Sequence, residues 1–185
     1  MKSPIVAIAV LALVAGCSPP GEKAAQPAND ADAVNVAAPA PQPSKSPDQS
    51  FVDTVAALNA YAAGAGTLAE QKGSTAAVRA FGKKLMLNRV ESTMRLKLAA
   101  AKQPDLLIDA SLDEEQNANI RTLQDASGPA FDAAFKGQMV VALTRLEALV
   151  KDRYIAINSG DPALRGFASI TAPTVRANLA AAKAL

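Results

Sequence analysis

From residue 46 onward, apolar positions recur at alternating spacings of three and four, the repeat of helices that bury one face along a bundle seam. Phe51, Val55, Leu58, Ala62, Ala65 and Ala69 carry it first. Ser46-Pro47-Asp48-Gln49 supplies an N-cap, a first-turn proline and a capping-box partner, and Gly73 a stop, which predicts a helix over about 47–72. Ser74 is the expected cap of a second helix over about 75–102, with Val78, Phe81, Leu85, Ser92, Leu96 and Ala99 on one face and Gln103-Pro104 closing it. Ser111-Leu112-Asp113-Glu114 reads as a capping box opening a short helix to about Asp125, with Ile120 and Leu123 inward. Ser127-Gly128-Pro129 then opens a long helix to about Asn158, striped by Phe131, Phe135, Met139, Ala142, Leu146 and Leu149. Gly160 ends it, Asp161-Pro162 caps a short helix, and Ala172-Pro173 is expected to interrupt that helix before a final one ending at Leu185. Strand signals are essentially absent. The pattern predicts an all-α antiparallel bundle over residues 47–185, with four main helices and one short extra helix.

Upstream of 46 the pattern is different. Lys2 followed by the apolar run from Pro4 to Ala15 has the form of a secretory leader, too short to span a bilayer as a mature helix. It ends in Val14-Ala15-Gly16-Cys17, small residues running into the single cysteine. This resembles a bacterial lipoprotein signal: residues 1–16 are removed and the Cys17 thiol is acylated. Ser18 follows rather than the Asp that retains similar lipoproteins in the inner membrane, so the periplasmic face of the outer membrane is the expected location. Residues 17–46 hold Pro19, Pro20, Pro27, Pro39, Pro41 and Pro43 among Ala, Asp, Asn and Gln, a composition with too little bulky apolar surface to offset its ordering entropy. They are expected to form a disordered tether between lipid and domain.

Composition narrows the chemistry. The chain has no histidine, which removes the commonest general base and transition-metal ligand together. One cysteine, assigned to lipid, leaves no disulfide and no thiol catalysis. A net charge of +2, with no basic stripe interleaved with aromatics, does not suit a nucleic-acid binder. Asp113, Glu114 and Glu115 read as complements to a helix dipole rather than a cation cluster. Gly64-Ala65-Gly66 lacks the lysine of a phosphate loop and reads as a close helix contact. Met139 and the phenylalanines read as core.

Four landmarks carry a family resemblance: Phe51-Val52, Val78-Arg79-Ala80-Phe81, Gly128-Pro129-Ala130-Phe131-Asp132, and Ala172-Pro173-Thr174-Val175-Arg176-Ala177-Asn178-Leu179. In order and spacing they resemble the domain of unknown function 4142 over about residues 50–183. These are bacterial exported proteins, for which the resemblance implies a ferritin-like bundle. Its members carry a Glu in helix 1, an Asp-His pair in helix 2, and histidines in the third long and last helices, the residue types of a metal site. Here those stations fall on Ala62, on Asn88 with Arg89, on Leu143 and on Asn178. None is a good ligand, so no metal and no cofactor is expected.

Arg89 projects with Leu85, Ser92 and Leu96 into the apolar face. Two readings stand: an internal site for an anion or polar ligand, and a structural plug bonded to Asn88, Asn178, Ser92 or helix carbonyls. Leu87, Met94 and Leu98 lie opposite that seam, facing either the short helix or a partner. The functional expectation is a lipid-anchored, non-enzymatic binding or structural domain with an envelope protein as its partner. The alternatives are a ferritin-like metal-binding or oxidoreductase protein, needing an all-carboxylate site although Glu70, Glu91 and Glu147 point off the seam, and a carrier of a small apolar molecule.

Overall fold

Ser46 begins the first helix as the sequence predicts: its Oγ accepts from the Gln49 backbone N–H at 3.1 Å, and Pro47 occupies the first turn. A computed structural model describes residues 45–155, 158 and 160–185, without the side chains of 152 and 153. The leader, Cys17 and the tether up to residue 44 lie outside the described residues. Five α-helices follow in order: α1 (Pro47–Lys72), α2 (Ala76–Ala100), α3 (Glu114–Asp125), α4 (Gly128–Glu147) and α5 (Pro162–Ala184). The protein is an all-α bundle, with no strand among the described residues.

The taper of α1 decides how its partner sits. Phe51, Val55, Leu58 and Tyr61 fill the core at its start, while Ala62, Ala65, Gly66 and Ala69 line its second half. That second half lets α2 approach closely. A Cβ on Gly66 would stand 2.7 Å from the Gly82 carbonyl oxygen, and one on Gly82 would stand 2.6 Å from the Ala69 Cβ. The close contact expected at 64–66 is therefore made by Gly66, and Gly82 answers it across the crossing.

Several boundaries differ from the sequence reading, each for a local reason. Thr75 rather than Ser74 caps α2, accepting from the Val78 N–H at 3.2 Å. Ser74 instead donates its N–H and hydroxyl to the Asp132 carboxylate, tying the α1–α2 turn to α4. The capping box of α3 joins Asp113 and Gln116 (2.7 and 3.1 Å), two residues along from Ser111 and Glu114. Gln49 does not close a box; its amide brackets the Leu107 backbone, donating to the oxygen and accepting from the N–H.

The fourth stripe also departs. Beyond Glu147 the chain runs as a π-helix over Ala148–Ile155. Extra residues per turn advance the inward phase from Leu146 to Val150 and Tyr154, which are buried, and leave Leu149 half-buried. The shift carries Tyr154 onto Phe51, with ring centroids 3.9 Å apart, and its hydroxyl donates to Asp48 Oδ1 at 3.1 Å. Burial pushes the Tyr154 phenol well above its ordinary range, reinforced by Asp48.

The last helix is one element, not two. Asp161 caps it by accepting from the Ala163 and Leu164 N–H groups at 2.8 and 3.1 Å, and Pro173 lies inside it. A proline there removes the helical bond to residue 169, but buried Phe167, Ala168, Ala172 and Val175 hold both halves against the core, so packing outweighs the lost bond. Residues Gln42–Leu185 form a compact unit of their own, whose described core begins at Phe51.

Candidate functional site

The middle of α2 places a guanidinium where an apolar side chain would be ordinary. Arg89 is 0% exposed and shares its face with Leu85, Ser92 and Leu96. Facing it on α1 is Asn59, also fully buried, whose Oδ1 accepts from Arg89 Nη1 at a long 3.4 Å and whose Nδ2 donates to Ser92 Oγ at 3.1 Å. From α5 come Thr171 and Asn178, both buried. Asn88 Nδ2 donates to Asn178 Oδ1 at 3.0 Å.

This network is incomplete. Arg89 Nε and Nη2, Thr171 Oγ1 and Asn178 Nδ2 are buried and have no hydrogen-bond partner among the described residues. Desolvation lowers the Arg89 pKa to about 10, still far above neutrality, so the side chain is charged. A cleft of about 70 Å³ between α2 and α5 is lined by Asn88, Arg89, Ser92, Thr171 and Thr174, so it adjoins the unpartnered atoms of Arg89 and Thr171. One water occupies roughly 30 Å³ of liquid, so the cleft has room for a small anion or a few waters. At its mouth Glu91 accepts from Arg95 at 2.7 Å and makes no ion pair with Arg89. Chemically this is a cluster of donors around an uncompensated positive charge.

The family's ligand stations divide in two. Ala62 and Leu143 are sealed in the apolar core and offer no ligating atom. Asn88 and Asn178 are joined by one hydrogen bond, with Arg89 on the same cleft as Asn88. Glu70, Glu91 and Glu147 are engaged at the surface by Lys83, Arg95 and Arg176. Among the described residues no group of three or more Cys, Asp or Glu could hold a metal ion. The expected plug partners of Arg89 are corrected: it makes no bond to Asn88, Asn178, Ser92 or a helix carbonyl, and its one partner is Asn59. Asn59 and Thr171 went unremarked in the sequence, yet each had a signal. Asn59 falls four after Val55 and seven after Val52, and Thr171 four before Val175 and seven before Asn178, so both sit on inward stripes.

Among the larger grooves at the surface, two combine apolar and polar side chains. One of about 280 Å³ involves Tyr61, Gln116, Gln138 and Val141, where burial pushes the Tyr61 phenol up to about 12 and its hydroxyl donates to Gln138 Oε1. The other, of about 310 Å³, runs between α2 and α5 beside Leu98 and Ile170.

Neither a curated protein nor a solved structure matches the chain significantly. Residues 33–185 match a family described as Domain of unknown function (DUF4142), a match that begins ahead of the 47 boundary read from helix periodicity. With the landmarks of α1, α2, α4 and α5 standing on the helices where the pattern put them, the chain belongs to the DUF4142 family.

Proposed function

We propose that this protein is a lipid-anchored envelope protein whose non-catalytic helical domain holds a small anion at Arg89. The observation that carries the binding site is a set of three buried polar atoms beside one cleft, Arg89 Nε and Nη2 and Thr171 Oγ1, with no partner among the described residues. Buried polar groups in folded proteins are nearly always satisfied, and an unpaired buried charge is strongly unfavourable. An anion of chloride to phosphate size would supply the missing acceptor and the missing charge together. The anchor rests on Val14-Ala15-Gly16-Cys17, and Ser18 favours the outer membrane. An acylated Cys17 would hold the domain at the periplasmic face, since each buried methylene contributes ~0.8 kcal/mol.

Calorimetric titration of the chain with chloride, sulfate and phosphate at constant ionic strength tests the site. Saturable binding, absent in Arg89→Met, is expected; an identical response in that variant would refute it. Fractionation of a Cys17→Ala variant tests the anchor separately. That variant should leave the membrane fraction, and normal membrane association would rule out the lipid anchor.

A further inference from the structure

The outward face of α2 carries an amphipathic pattern that the bundle does not use. Leu87, Val90, Met94 and Leu98 are 54%, 47%, 56% and 71% exposed. At about 100° per residue they fall within a single stripe along the helix. Lys84 and Arg95 border that stripe on one side and Lys97 on the other, Lys83 stands at its start and Lys102 just beyond the end of α2, all exposed. The only acid of α2 is Glu91, which lies on this face already paired with Arg95 at 2.7 Å. Lys83 reaches Glu70 at 3.4 Å, and among the described residues Lys84, Lys97 and Lys102 make no ion pair. Next to the stripe, Ile170 of α5 is also exposed, and the groove shared with Leu98 extends the apolar surface sideways.

Charge is distributed directionally over the domain. α2 packs on α1 and α5, whereas α3 packs on α1 and α4. The stretch from Asp105 to Asp125 carries Asp105, Asp109, Asp113, Glu114, Glu115 and Asp125 against Arg121 alone. Asp113, Glu114, Glu115 and Asp125 thus belong to α3 and its cap, which pack on α1 and α4, whereas Asp105 lies in the turn after α2.

We infer that the exposed face of α2 seats the domain on an anionic phospholipid surface, with Leu87, Val90, Met94 and Leu98 entering the headgroup boundary and the flanking lysines contacting lipid phosphates. Helices that lie in a membrane interface combine these features: a narrow apolar strip, basic borders whose alkyl stems lie along it, and little net hydrophobicity. A second copy of the chain is disfavoured as occupant, because self-pairing through this face would bring the two sets of lysines together. The inference depends neither on the Arg89 site nor on acylation of Cys17.

Its test uses residues Gln42–Leu185, the compact unit described above, so that neither lipid nor the leader contributes. The unit is mixed with vesicles of phosphatidylglycerol and phosphatidylethanolamine, or of phosphatidylcholine alone, and the bound fraction is read by sedimentation. Binding is expected to the anionic vesicles only and to decline with salt. Lys84→Glu/Lys97→Glu/Lys102→Glu should weaken it by about tenfold or more, as should Leu87→Ser/Met94→Ser/Leu98→Ser. Val141→Ser, at an exposed apolar residue of α4, should leave it unchanged. Circular dichroism melts of the variants should match the parent, since every altered side chain is exposed. Equal binding to both vesicle types, binding indifferent to the two triple variants, or no binding at all would overturn the inference. So would concentration-dependent self-association abolished by the apolar triple, which would assign the face to a second copy.

Discussion

Each face of α2 carries one departure from the usual arrangement. Its inner face carries a fully buried guanidinium with one weak partner, while its outer face exposes Leu87, Val90, Met94 and Leu98. α5 keeps the ordinary arrangement over most of its length: Leu164, Phe167, Val175 and Leu179 are inside and Arg165, Arg176 and Lys183 outside. A helix that only needed to pack would resemble α5. Burial alone does not account for α2, and the two departures are the basis of the two proposals: an anion within, a charged surface without.

The largest effect separates the two faces by stability. Leu96→Ala empties a fully buried position and should destabilise the domain by about 2–5 kcal/mol in urea unfolding. A loss no greater than that of an exposed leucine would show that the inner face is not core. At the α1 crossing, Gly82→Val should cost about 1–3 kcal/mol by forcing the helices apart, because the added carbons meet the Gly66 carbonyl and the Ala69 side chain. An unchanged melt would mean that the crossing is looser than the backbone distances state.

Smaller effects sharpen the contrast with α5. Burial opposes the charge of Asp161, but hydrogen bonds from Gln103 and from the Leu164 and Ala163 N–H groups outweigh it and hold this carboxylate below 3.8. The stability it contributes is therefore present above that ordinary value and is lost as pH falls through the lower folded-state pKa. Asp161→Ala should cost about 1 kcal/mol at neutral pH, and the gap to the parent should narrow in strongly acidic buffer. A gap that widened on acidification would contradict the sign of the shift. Last, Leu98→Ala on the outer face should change stability by less than about 0.5 kcal/mol, and a larger loss would place that side chain in unrecognised packing.

Much of the fold was legible because helix seams are periodic. Every residue of the expected α1 and α2 stripes is buried, as are Phe131, Phe135, Met139, Ala142 and Leu146 of α4. The pattern failed where the backbone changed period: a π-helix cannot be anticipated from spacing that assumes 3.6 residues per turn, so Val150 and Tyr154 were missed. It failed again at Pro173, where tertiary packing overrides a local breaker. At the site, Arg89 was identified from its angle on the face, but its partner was not. The spacing of Asn59 from Val52 and Val55 turns it inward, but its pairing with Arg89 follows from how α1 crosses α2, which the spacing of neither helix gives.

The most direct test of the account is the stability of Arg89→Met in buffer free of small inorganic anions. Methionine keeps the length and removes the charge. If Arg89 is an unpaired cation awaiting an anion, the variant should be as stable as the parent or more so, and added phosphate should raise the melting temperature of the parent alone. If Arg89 belongs to a satisfied internal network, the substitution should instead destabilise the domain by about 3–5 kcal/mol, with both proteins indifferent to phosphate. That second result would contradict the central claim.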